Sequence, residues 1–160
     1  MTSIHLLIGL MITMSMVLSS CGKQEREPVL DLGSFAPYVE KFQAGAQYHG
    51  ENLKVEDLVI QFGPMDNPRQ RAICDIGPDS PPTIIILESG WELMDENERT
   101  ALMFHEMGHC VLRRPHVNSV TRSGLPASLM NPYLISGHVY SRYEDYYNKE
   151  LFKGQVPSAP

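Results

Sequence analysis

No run of basic residues occurs in this 160-residue chain. Arg113-Arg114 is the one adjacent basic pair, and the net charge is −6. A nucleic-acid partner needs a concentrated positive surface to displace counterions, so that partner class is excluded as an expectation. Internal repeats and low-complexity tracts are also missing, and the length suits one compact domain. A hydrophobic share of 42% is ordinary for a chain that buries a core. Only three cysteines are present. No apolar stretch is long enough to cross a bilayer comfortably, the longest running from Leu6 to Leu18.

That stretch has the length of a signal-peptide core and leads into Leu18-Ser19-Ser20-Cys21-Gly22. The five residues resemble the lipobox of bacterial lipoproteins, in which cleavage frees the cysteine and its thiol takes a diacylglycerol. Met1 to His5 carries no Lys or Arg, unlike an ordinary signal n-region. The resemblance implies a signal peptide over 1–20, a lipidated N-terminus and linker over 21–33, and a folded domain over 34–160. It also implies export to the cell envelope. Gly22 in place of an acidic residue is similar to lipoproteins sorted to an outer membrane. With Cys21 set aside, Cys74 and Cys110 remain, an even number in an oxidising compartment. Two readings stay open, a disulfide between them or two buried thiols acting as small hydrophobes.

Apolar periodicity outlines an α+β fold. Gly22 to Asp31 is polar and reads as a tether. Ser34 is placed to cap a helix through Phe35, Tyr38, Val39, Phe42 and Ala46, ending at His49-Gly50. Three strands are expected, Leu58 to Phe62, Ala72 to Asp75, and Thr83 to Leu87, the last apolar on both faces. Asp95 and Glu98 have the spacing of a capping box, predicting a long helix that stops near Arg113 because Pro115 disfavours helical backbone before it. A loop from Asn118 to Ala127 and a helix from Tyr140 to Phe152 complete the domain, with Trp91 and the tyrosines of that helix in the core.

The chemistry is concentrated on the long helix. In His105-Glu106-Met107-Gly108-His109, the histidines lie one turn apart, roughly 6 Å along the axis, on one face. Two neutral imidazoles so placed reach one zinc ion, and Glu106 stands beside it as a general base. A catalytic zinc site needs a third ligand. His116 would sit roughly 16 Å up the axis if the helix continued, so the chain must fold back near Arg114-Pro115. Glu144 is the alternative ligand, from the terminal helix. Gly108 lowers helix propensity by roughly 1 kcal/mol relative to alanine, and close approach of another backbone segment would account for it.

These residues, with Ser128-Leu129-Met130-Asn131-Pro132-Tyr133, resemble the metzincins, zinc peptidases with a third histidine after a turn and a methionine turn beneath the metal. The stretch from Trp91 to Met130 is also similar to small bacterial lipoproteins described as metallopeptidases. The resemblance implies zinc held by His105, His109 and His116, with Glu106 as base and Met130 as support. Two departures stand out. Metzincins place the third histidine one residue earlier and turn on a glycine, whereas Cys110 to His116 contains none. A tyrosine often follows their methionine by two residues. Here Tyr133 follows by three, either as an oxyanion donor or as a packing residue.

The expected function is therefore hydrolysis of peptide bonds by a small zincin-like, monomeric domain, held at a membrane only through its lipid. Its substrate, a peptide or protein, would lie extended along the sheet edge, which the resemblance places near Ala72 to Asp75. The rivals are a gluzincin-like peptidase using Glu144 and a non-catalytic binding lipoprotein with a structural zinc.

Overall fold

A two-residue strand, β1 (Leu30–Asp31), comes first in the computed structural model, which describes residues 26–67 and 69–154. Cys21 and the expected signal peptide lie outside those residues. The end of the supposed tether belongs to the sheet. Leu30 pairs with Leu58, and Asp57 holds both the Val29 N–H and the Arg26 guanidinium, at 2.8 Å and 2.6–2.9 Å.

A 3-10 turn over Gly33–Phe35 then leads into α1 (Ala36–Tyr48). Ser34 does not cap it. Gly33 takes a left-handed φ of 47°, and Pro37, in the first turn, presets the helical backbone angle.

Strands β2 (Leu58–Phe62), β3 (Ala72–Asp75) and β4 (Thr83–Ile86) complete a four-stranded mixed sheet in the order β1-β2-β4-β3. The sheet therefore has one strand more than the sequence predicts, because β1 is too short to show periodicity. β1 and β4 both run parallel to β2, while β3 is antiparallel to β4 and forms an edge. Along β4, Ile84 and Ile86 are fully buried and Thr83 and Ile85 half-buried, as suits an inner strand with one covered face.

A four-residue helix, α2 (Glu88–Trp91), delivers Trp91 into edge-on contact with Phe35 and Tyr38, with ring centroids 5.3 and 5.2 Å apart. The long helix α3 (Glu96–Cys110) starts on the expected capping box. Asp95 accepts from the N–H groups of Asn97 and Glu98, and Glu98 accepts from the N–H of Asp95. Such a cap contributes about 1 kcal/mol. Nine of the fifteen residues of α3 are buried, so it forms the centre of the fold. Phe104 packs edge-on against Phe42 of α1 at 5.1 Å.

The single C-terminal helix expected over Tyr140–Phe152 is two helices, α4 (Gly137–Arg142) and α5 (Glu144–Lys153). They meet at Tyr143, whose φ of −124° and ψ of 30° interrupt the helix. Gly137 docks α4 on the cap of α3, since a Cβ there would lie 2.4 Å from the Asp95 carboxylate. The result is the expected α+β class, with one sheet and five α-helices among the described residues.

Candidate metal centre

His105, Glu106 and His109 take their places from the position of α3 beneath the edge strand. After Cys110 the chain leaves the helix. Arg113 adopts a φ of 57°, and the Arg114 N–H closes back on the Gly108 carbonyl at 2.9 Å. A non-glycine residue thus makes the reversal, in a left-handed conformation that a side chain disfavours by about 1 kcal/mol or more. The turn carries His116 back over the helix, and the Val117 N–H bonds the Met130 carbonyl at 2.8 Å.

The three imidazoles converge. His105 Nε2 lies 3.1 Å from His109 Nε2 and 3.3 Å from His116 Nε2. The first two rings have fixed tautomers. His105 Nδ1–H donates to the Leu129 carbonyl at 2.6 Å, and His109 Nδ1–H donates to the Arg114 carbonyl at 2.7 Å. A carbonyl can only accept, so in each neutral ring the proton sits on Nδ1 and Nε2 carries a lone pair. Burial, reinforced by the neighbouring histidines and opposed by the Leu129 carbonyl, pushes the His105 pKa down to about 4. That ring is neutral at ordinary pH. His109 is also lowered, by burial first and then by His116, against the Arg114 carbonyl. Two lone pairs 3.1 Å apart without a proton between them repel each other, and a cation at their focus removes the conflict. His105, His109 and His116 form a group able to hold a metal ion.

Glu106, 5% exposed, lines the same cleft as the three histidines. Burial raises its carboxyl to about 7, opposed by a hydrogen bond from the Cys74 N–H. A carboxyl titrating near neutrality both takes up and releases protons readily. The Cys74 contact follows from strand geometry. The Leu87 N–H bonds the Arg71 carbonyl at 2.9 Å. By antiparallel alternation, Arg71, Ile73 and Asp75 turn their backbone groups toward β4, and Ala72 and Cys74 turn theirs outward. Cys74 and Cys110 are joined in a disulfide that ties the edge strand to the end of α3. Between strand and helix opens a cleft of about 600 Å³, lined by both, by His116 and by Pro132 and Leu134.

Met130 is fully buried under the helix. A Cβ on Gly108 would meet Met130 Sδ at 2.4 Å and Leu151 Cδ1 at 3.2 Å. Gly108 therefore makes room for side chains, not for the backbone segment expected. Tyr133 is 76% exposed and is not among the cleft-lining residues. Glu144 does not join the histidines. It faces Lys41 at 3.8 Å and lines a different cavity. His138 is exposed, and His49 packs against Phe152.

Sequence reasoning missed the supports of the site. The carboxylate of Glu150, on α5, accepts from Arg114 Nη2 at 2.5 Å and from Ser128 Oγ at 2.6 Å. Ser128 Oγ in turn accepts from the Met130 N–H at 3.0 Å. Arg114 also donates to the carbonyls of Glu150 and Leu151, both at 2.9 Å, near the C-terminus of α5. One buried carboxylate thus clamps both segments whose carbonyls orient His105 and His109. Its sequence neighbours Lys149 and Leu151 gave no sign of this, because both partners lie more than twenty residues away.

No protein-family model matches the chain, and neither does any curated protein or any solved structure.

Proposed function

We propose that the chain is a metzincin-like zinc metallopeptidase. The convergence of three Nε2 atoms beside a buried glutamate carries this reading. Tetrahedral zinc with bonds of about 2.0–2.1 Å separates its nitrogen ligands by about 3.3 Å, close to the 3.1 and 3.3 Å separations of His105 Nε2 from its neighbours. A three-histidine set leaves a fourth position open, the pattern of catalytic rather than structural zinc.

When bound, zinc supplies a Lewis acid that polarises a carbonyl and acidifies water. Glu106 takes the proton of the attacking water and returns it to the leaving amine. The outward backbone of Ala72 and the carbonyl of Cys74 offer an extended peptide an edge to pair with, while the Cys74 N–H is taken by the Glu106 carboxyl, which it keeps at the cleft floor. Met130 fills the space beneath α3 and maintains its height. Anchorage in the bacterial envelope, through a lipid on Cys21, belongs to the same reading, and the domain acts as a monomer. A merely structural zinc would leave Glu106 buried without a use.

Zinc-loaded protein should cleave members of a broad peptide library and lose cleavage with chelator. Glu106→Gln should retain zinc and the fold and lose most of the activity, since it deletes the base and spares the ligands. A Glu106→Gln variant that cleaves at the wild-type rate would overturn the mechanism. Cys21→Ser should abolish incorporation of labelled fatty acid, and persistent labelling would remove the anchor.

A further inference from the structure

We propose that the cleft selects peptides with acidic side chains flanking the residues that pair with β3. This inference rests on the peptidase reading and adds a substrate class to it. The chain as a whole is acidic, with a net charge of −6. The cleft is not. Its lining includes Arg69, Arg71, Arg113 and Arg114, and Glu106 is its one carboxylate.

Arg114 is matched by Glu150 and adds little net charge. The other three are different. Arg69 and Arg71 lie where the chain approaches β3. Arg113 lies toward the other end, because it closely follows Cys110, which is bonded to Cys74. All three residues are exposed. None has a side-chain hydrogen bond or ion pair among the described residues. Asp57 feels the charge of Arg113 but is held in a two-pronged pair by Arg26. Arg71 packs over Gly90 with both its stem and its guanidinium, a Cβ there lying 3.0 Å from its Cδ and 3.1 Å from its Nη1, which leaves Arg69 as the freer charge at that end.

Unmatched guanidinium groups therefore stand at both ends of a strand edge roughly 13 Å long. The guanidinium fork takes a carboxylate through two parallel hydrogen bonds. Ile73, in the middle of β3, lines the same cleft with Ile76 and Leu134, each with 38–48% of its surface exposed. This suits a peptide with an apolar centre and acidic flanks. A lysine-flanked peptide would meet like charge at both ends, and such juxtaposition is what an interface uses to reject a wrong partner.

The test uses the zinc-loaded protein and two peptide libraries with the same apolar centre, one flanked by glutamate and one by lysine. Cleavage of both is followed by mass spectrometry. The glutamate library should be preferred about tenfold at low salt, and the preference should shrink as salt is raised. Arg69→Gln should reduce the ratio of the two rates. So should Arg113→Asn, chosen because asparagine tolerates a left-handed backbone. Each ratio is internal to one variant, so partial loss of folded protein cancels. Equal cleavage, or a preference for lysine, overturns the acidic-substrate proposal and leaves the peptidase reading standing. No cleavage of either library, with zinc measured as bound, overturns the peptidase reading and this inference with it.

Discussion

The cleft has a helix wall and a strand wall, and they are built in opposite ways. On the helix wall the chemical groups are buried or half-buried, and each has a second partner. His105 bonds the Leu129 carbonyl, His109 the Arg114 carbonyl, and Glu106 the Cys74 N–H. On the strand wall the arginines and isoleucines are exposed and largely unpartnered. Groups that must hold one geometry are over-determined, and groups that meet varied partners are left free. Substitutions on the helix wall should therefore act through the metal and the fold, and those on the strand wall through choice of substrate.

The sharpest break of this contrast is His116→Ala. It removes one of the three histidines able to hold a metal and, on the zinc reading, should weaken zinc binding by about two orders of magnitude or more in a competition titration. Glu144→Ala should leave zinc stoichiometry unchanged, and the reverse ranking would contradict the three-histidine site. Glu150→Ala comes next. It leaves the half-buried Arg114 without its carboxylate and Ser128 Oγ without its acceptor, which should destabilise the domain by roughly 1–3 kcal/mol in denaturant melts. Zinc affinity should also fall by about 10- to 100-fold, because both carbonyls that aim the histidines lose their anchor. Glu150→Gln should recover part of the affinity, whereas a purely global destabilisation would leave the affinity of the folded fraction unchanged.

Replacing Cys74 and Cys110 together by serine should lower stability by about 2–4 kcal/mol. Alkylation without reduction should find neither thiol in the native protein. Gly108→Ala is a smaller perturbation. The helix gains roughly 1 kcal/mol in propensity, while crowding against Met130 opposes it by about 1–3 kcal/mol. A net loss of about 1 kcal/mol in thermal melts should result, and the further change Met130→Ala should relieve the crowding at the expense of a cavity. At the small end, Arg69→Gln on the strand wall should change stability by no more than about 0.5 kcal/mol. A large loss there would show that the strand wall is structural after all.

The two walls also differed in how far the sequence revealed them. Asp95 and Glu98 announce the start of α3 through a local rule, and the histidine spacing announces its chemistry. The bounds of β2 and β3 were legible from apolar residues between turn signals, and β4 to within one residue. Local rules fail where a distant partner decides. β1 exists because Asp57 and Leu58 grip Val29 and Arg26, and two residues carry no period. The break at Tyr143 follows no glycine or proline, so nothing in Tyr140–Phe152 distinguishes two short helices from one. Glu150 looks like any charged residue on an amphipathic helix until Arg114 and Ser128 reach it.

The bond between Cys74 and Cys110 has a further consequence for chain topology. It closes a covalent loop across a separation of 36 residues, and that loop contains β4, α2, His105, Glu106 and His109. Within it lies the exposed stretch Pro78 to Ser80, the kind of loop tip where proteases cut. A single cut there would not separate the chain into two pieces, since both new ends remain tethered through the sulfur bridge. The helix ligands would stay linked to the edge strand, and nicked protein would run as one chain on a gel until reductant is added. Such a domain can lose a peptide bond and still hold its working parts together.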